Sequence, residues 1–244
     1  MNLYEDQFLN SHDFPVFRGE RKNLILATTP RCGSHMLGHA LYETGAFGFP
    51  LEYINNANVK RWKERLGVSD LDEVIEEIKN RRTSPNGVFS VKAHFSQMKN
   101  IGGMARFDNL FSDGKYLHIK RKDVLSQAVS FYIAKKTGKW ISAQASVVEA
   151  EDVEYDFQSI DSCLKSILNH NAWWEYSIVR MGLDYCFVYY EDVLENPSST
   201  LERISRFIGI DMPDKISLDS YTSKQSGSIS EIFKDNFLKD CRAR

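Results

Sequence analysis

The sequence predicts an α/β fold with a mainly parallel central sheet flanked by helices. Two observations carry that class. Short apolar runs of strand length recur along the 244 residues, and polar turns join several of them to stretches with apolar positions at helical spacing. Residues 23–29 (NLILATT) are apolar enough for a buried strand, and residues 30–34 (PRCGS) make a tight turn. Met36, Leu37, Ala40 and Leu41 then fall at helical spacing over residues 35–43, with Gly45 as the stop. Residues 60–82 read as one charged helical stretch, its stripe made by Leu71, Val74, Ile75 and Ile78. Residues 86–93 (NGVFSVKA) are a further strand. Residues 116–119 form a short strand, 120–123 a polar turn, and 124–136 a helix opened by Asp123. Residues 185–190 (YCFVYY) are an unbroken apolar run of the kind parallel sheets use. Pro197 and Gly209 bracket a helix whose stripe is Leu201, Ile204, Phe207 and Ile208. Trp173 and Trp174, in a helical context, are expected in the core.

No Pro/Gly/Ser-rich linker divides the chain, so one domain over residues 1–244 is expected. Residues 1–20 read as an N-terminal extension. Residues 138–157, polar, acidic and irregular, read as a flexible lid or acceptor loop. The 42% hydrophobic and 26% charged content excludes a mainly disordered or fibrous chain. Lys and Arg number 31 against 33 Asp and Glu, a net charge of -2, which argues against nucleic-acid binding through bulk charge. The cysteines at 32, 163, 186 and 241 match neither zinc-ligand spacing nor a dense disulfide frame. No metal is expected, and a reducing compartment fits. The N-terminus lacks the apolar stretch of a signal peptide, and no run reaches the ~18 apolar residues of a membrane span. A cytoplasmic location without a transmembrane segment is the expectation.

Parallel sheets bind ligands beyond the carboxyl ends of their strands, where the polar turns fall. In residues 29–35 (TPRCGSH), a strand feeds a Gly/Ser turn into a helix start, so backbone N–H groups and the helix dipole converge on one spot. Arg31 adds a charged fork and Ser34 a hydroxyl, which suits a phosphate or sulfate; an ordinary βα turn with a surface arginine fits that loop equally well. The Walker pattern is absent, since no lysine follows Gly33. Arg121 lies in the turn before the 124–136 helix, where Ser126 and Ser130 share a face and one of them can join it on a second phosphate. By themselves, these two serines read as solvated positions on a capped helix. Glu52, just after the first helix, is a candidate proton acceptor, although a lone loop glutamate is usually only exposed. Lys92 and His94, near the end of the 86–93 strand, share that ambiguity. Trp140 is a candidate for stacking on an acceptor's sugar ring.

In combination these segments resemble a known family. TTPRCGSHML (28–37) resembles the phosphosulfate-binding loop of sulfotransferases, and HIKRKDVLSQAVSFYIAKKTGKW (118–140) is similar to the 3′-phosphate segment of the bacterial trehalose 2-sulfotransferase-like (Stf0-type) family. PLEYIN, PNGVFSVKAHF and YYEDVLENPSSTLERISRFIG follow in the family's order, so the resemblance spans about residues 24–209. It implies a P-loop-like sulfotransferase fold and the donor 3′-phosphoadenylyl sulfate (PAPS). Arg31, Cys32, Gly33, Ser34 and His35 would surround the 5′-phosphosulfate, and Arg121 with Ser126 or Ser130 would hold the 3′-phosphate. Glu52 sits where the family has its proposed general base, and Arg31 would share the catalytic work. The implied acceptor is a carbohydrate or glycolipid hydroxyl, with Lys92, His94 and Trp140 around it and a homodimer as the assembly. His35 departs from the family's usual Thr. The family's nucleotide arginine near the last helix is not matched either: residues 224–228 offer only Lys224. A P-loop-like nucleotide kinase, disfavoured by the missing Walker lysine, and a non-catalytic nucleotide-binding protein are the rival classes.

Overall fold

Four apolar runs become the strands β1 (Lys22–Thr28), β2 (Val88–His94), β3 (Lys115–Lys120) and β4 (Tyr185–Tyr189). The structure is a computed structural model that describes residues 5–140, 145–211 and 227–243. The strands pair in the order β2-β1-β3-β4, all parallel, with Ile25 opposite both Val91 and Tyr116. This is the parallel α/β sheet expected from the sequence. Side chains alternate across it, so each central strand feeds two cores.

Nine α-helices lie among the described residues: α1 (Ser34–Glu43), α2 (Asn56–Leu66), α3 (Leu71–Arg82), α4 (Met104–Leu110), α5 (Val124–Thr137), α6 (Phe157–Met181), α7 (Tyr190–Glu195), α8 (Pro197–Ile208) and α9 (Ser228–Ala243). On one face, Leu24, Leu26, Leu117 and Val188 pack against Leu37 and Leu41 of α1 and Leu201 and Ile204 of α8. On the other, Ile25, Phe89, Val91 and Tyr116 pack against Trp62, Ile75, Phe107 and Trp174. A third cluster joins α5, α6 and α9 through Val129, Ile160, Ile167, Phe233 and Phe237. No helix of the described residues is long and apolar enough to cross a membrane.

Three expectations change. The stretch at 60–82 is two helices: Gly67 ends α2 at φ 69°, and the Asp70 side chain caps α3 by accepting from the N–H groups of Asp72 and Glu73. The run at 185–190 is an edge strand whose Tyr185 is exposed, and Tyr190 already belongs to α7. Trp174 is buried as expected, but Trp173 is 51% exposed, because neighbouring positions on a helix face different directions. Within the loop at 138–157, residues 141–144 lie outside the described residues, as do residues 224–226 with Lys224.

The N-terminal residues are tied down by the fully buried Arg82, whose guanidinium donates to the carbonyls of Gln7 and Leu9 at 3.0 and 3.1 Å and lies 3.2 Å from Asp13. A second buried cation-former sits under α6. His118, on β3, is fully buried with Nε2 3.3 Å from Asn171 Oδ1, and its Nδ1 has no hydrogen-bond partner among the described residues. Burial pushes the imidazole down to about 4. The folded state therefore binds this proton later than the unfolded chain does, so stability is complete above about pH 6.5 and falls as pH drops toward 4. At about 1.4 kcal/mol per unit, the loss reaches roughly 3 kcal/mol. Urea unfolding between pH 7 and pH 4 should show a pH slope that His118→Gln reduces; an unchanged slope would contradict the burial effect.

Candidate active site

The carboxyl edge of the sheet gathers the predicted residues. The turn leaving β1 carries two left-handed residues, Arg31 at φ 63° and Gly33 at φ 85°. Positive φ in an arginine is strained by about 1–3 kcal/mol and tends to be kept where function requires the shape. Surrounding contacts hold it: Gln127 of α5 donates to Thr29 Oγ1 at 3.0 Å and to the Pro30 carbonyl at 2.7 Å. Gly33 is needed for a second reason, since a Cβ there would lie 2.1 Å from Cδ2 of Tyr190. The first-turn N–H groups of α1 have no acceptor inside the helix and point with its dipole out of the sheet edge. Ser34 is buried in that turn, and Cys32 fills the core against α1 and α8.

Arg31 spans from this turn to α5. Its Nε donates to Ser130 Oγ at 3.0 Å, and its Nη1 donates to the Trp140 carbonyl. The contact is thus to the Trp140 backbone; its ring lies 6.1 Å from Phe131. Arg121, in the turn after β3, lies over Tyr190 at 5.0 Å, with Nε 3.8 Å from Glu191 Oε1. Burial first, and then the charge of Arg121, hold the Arg31 guanidinium below its usual value. Two neighbouring cations opposed in this way would be relieved by an anion. Ser126 is committed elsewhere: its hydroxyl and N–H both bond the Asp123 carboxylate, at 2.7 and 2.9 Å, which also meets Lys234 of α9 at 2.6 Å.

Glu52 is placed by backbone. Leu51 forms an isolated parallel bridge with Val91, and the Lys92 N–H donates to the Leu51 carbonyl at 2.9 Å. That pairing sets Glu52 beside Lys92, whose Nζ is 3.0 Å from Oε1; His94 Nε2 is 3.4 Å from the same oxygen. Thr28 Oγ1 lies 2.9 Å from the Ala93 carbonyl, to which it donates, and 2.7 Å from His94 Nδ1. Burial alone would raise the Glu52 carboxyl, but Lys92 and His94 outweigh it and hold the group well below the carboxylate range. His35, at the start of α1, is pushed down to about 2 by burial and then by Lys92 and His39, which keeps it neutral.

Sequence reasoning therefore brings Arg31, Ser130, Arg121, Glu52, Lys92, His94 and His35 to one edge, while Ser126 serves its own helix cap. It misses Thr28, Gln97 and Gln127, and it does not foresee the packing of Tyr190 on Gly33. Apart from the glycine signal at position 33, their roles come from tertiary contacts with no local pattern. No group of three or more His, Cys, Asp or Glu placed to hold a metal occurs among the described residues.

The sheet order and covering helices are those of the P-loop-like sulfotransferase fold. A solved sulfotransferase from Alicyclobacillus acidocaldarius superposes with a TM-score of 0.57 at 13% identity, over 91% of this chain and 93% of that one. That likeness shows a shared fold; the class of protein, sulfotransferase, an enzyme class, rests on the match to a family model. More narrowly, the model of the Stf0 sulphotransferase family matches residues 23–240, and the chain belongs to that family. Trehalose 2-sulfotransferase of Mycobacterium tuberculosis (strain ATCC 35801 / TMC 107 / Erdman) is 22% identical over 258 residues, covering 90% of this chain and 95% of that relative.

The Gly33–Tyr190 contact yields a direct test. Gly33→Ala combines a disfavoured φ with a clash against Tyr190, and should cost about 2 kcal/mol or more in denaturant unfolding. A variant as stable as the parent would show that the turn tolerates a side chain.

Proposed function

We propose that the enzyme takes PAPS as donor and passes its sulfuryl group to a hydroxyl of a carbohydrate or glycolipid, with Glu52 as general base. One observation carries the reading: two mutually opposed guanidiniums, Arg31 and Arg121, stand at the ends of adjacent strands on the same sheet edge as an ionised carboxylate. A nucleotide with anionic groups at two ends fits such a cradle. The donor, when bound, supplies a sulfuryl group on a phosphate leaving group. Arg31, Cys32, Gly33, Ser34 and His35 provide the turn around the phosphosulfate, through backbone N–H groups, one guanidinium and a neutral imidazole in place of the family's usual threonine. Arg121 supplies the cation for the 3′-phosphate. Ser130 is the better hydroxyl partner, because it accepts from Arg31 and keeps its own proton to donate, whereas Ser126 spends its proton on Asp123.

Glu52, held ionised by Lys92 and His94, takes the acceptor proton. Sulfuryl transfer, like phosphoryl transfer, asks the protein mainly for alignment and charge stabilisation. The acceptor hydroxyl becomes more acidic as its oxygen bonds to sulfur, so a carboxylate of low basicity suffices. The acceptor class follows the trehalose enzyme to which the chain is similar, and Trp140 is retained as a stacking candidate.

Glu52→Gln should lower turnover by about 10²–10⁴-fold while calorimetry with adenosine 3′,5′-bisphosphate shows unchanged affinity. Near-normal turnover would remove Glu52 as the base. Arg121→Ala should weaken that affinity about tenfold or more; equal affinity would remove Arg121 from the site. Because the Glu52 carboxyl lies well below its ordinary value, its protonation should impose no loss of kcat/KM between pH 5 and 8. A screen of sugar and glycolipid acceptors with sulfur-labelled donor tests the acceptor class.

A further inference from the structure

Gln97 lies in the short 3-10 helix Phe95–Ile101, which begins where β2 ends, and its side chain is nearly fully buried. Both ends of its amide are engaged. The side-chain carbonyl accepts from the His94 backbone N–H at 3.0 Å, and the side-chain nitrogen donates to Glu52 Oε2 at 2.7 Å. The first bond dictates the second. A flipped amide would set its NH2 against a backbone N–H and its oxygen against a carboxylate, replacing two attractions with two repulsions. Gln97 is therefore a fixed donor aimed at one oxygen.

The carboxylate of Glu52 offers about four lone-pair directions. Two kinds of neighbour divide them. Oε1 faces Lys92, which supplies charge, and His94, and Oε2 faces Gln97, which supplies orientation without charge. Asn58 of α2 anchors the same residue from behind by donating to the Glu52 backbone carbonyl at 2.8 Å. Among the described residues, one lone pair, on Oε2, is left over.

We propose that Gln97 is a positioning residue: it fixes the plane of the Glu52 carboxylate and leaves the second lone pair of Oε2 as the place where the acceptor proton lands. The inference rests on Glu52 being the base. In the step it serves, the acceptor O–H bond breaks and an Oε2–H bond forms as the acceptor oxygen bonds to sulfur and the donor's S–O bond to phosphate breaks. A neutral donor is the right chemistry, because a second cation would lower the basicity of Glu52 further, and a carboxylate would compete for the proton.

Four variants test it: Gln97→Leu, Gln97→Glu, Glu52→Gln and the Glu52→Gln/Gln97→Leu double variant. Turnover is followed with labelled PAPS and trehalose as the acceptor probe, and affinity by calorimetry with adenosine 3′,5′-bisphosphate. Gln97→Leu should lower kcat about 10–100-fold with nucleotide affinity unchanged. In the double variant it should add nothing to the loss caused by Glu52→Gln, since Gln97 acts through Glu52. Gln97→Glu keeps the shape but places a second carboxylate beside Glu52. With Lys92 and His94 on β2 and His35 on α1 as the other titratable or charged groups near it, Glu52 should then take its proton at higher pH. The infrared carboxyl band of glutamate-labelled protein, referenced to Glu52→Gln, reads this shift without any acceptor, and decides the matter if trehalose is not turned over or if Gln97→Leu melts below the assay temperature. Wild-type kcat in Gln97→Leu, an equal further loss in the double variant, or an unmoved Glu52 titration in Gln97→Glu would overturn the proposal. If Glu52→Gln itself retains turnover, the base assignment fails instead.

Discussion

The reversal of the chain between β1 and α1 is the constraint on which the candidate site depends. Two left-handed residues within three positions turn a buried strand into a helix whose first N–H groups face outward. The turn does not hold that shape alone. Tyr190 packs on Gly33 from the start of α7, Gln127 clamps Thr29 and Pro30 from α5, and Ser130 catches Arg31. Elements that follow two other strands, β3 and β4, thus over-determine one loop, which is how a strained arginine persists.

Charge around that loop is unbalanced by design of the fold. Beyond the effect of burial, Arg31 and Arg121 work against each other, and burial, followed by Lys92, keeps the neighbouring His35 uncharged. Glu52 answers part of this excess through Oε1, and Glu191 answers part through its contact with Arg121. Among the described residues, these carboxylates meet the cationic edge in part, and the proposed donor, with several negative charges, would add to them. Such a site would trade folding stability for affinity, since opposed cations cost energy until an anion binds.

What was legible in the sequence follows from where each signal is stored. Strands β1 and β2 are readable because both faces are covered: β1 runs unbroken through Leu24–Ala27, and β2 keeps Val88, Phe89, Val91 and Ala93 around Ser90 and Lys92. The β1–α1 turn is readable because glycine and a strand-to-helix change mark it locally. The split between α2 and α3 hides within a continuous charged stretch, and only Gly67 and the Asp70 cap reveal it. Helix α6 is obscured for another reason. Ile160, Cys163 and Ile167 pack toward α5 and α9, whereas Trp174 and Ile178 pack toward the sheet, so no single stripe runs its length. Arg31, Arg121 and Glu52 stand out because charges beside strand ends are conspicuous. Gln97 and Thr28 do not, because a buried amide and hydroxyl acquire meaning only from the atoms they face.

The low basicity of Glu52 is consistent with its assigned role when the same field is applied to its reaction partner. The charge of Lys92 that stabilises the carboxylate also stabilises negative charge developing on a nearby hydroxyl oxygen. Both members of the proton transfer are shifted in the same direction, so the difference between them changes less than either value does. What the cationic edge then favours is ionisation: against the effect of burial, Lys92 and His94 hold the Glu52 carboxyl well below its usual range, so in the proposed role it would stand ready to accept a proton. Precision of aim, supplied by neutral groups, becomes the property left to tune.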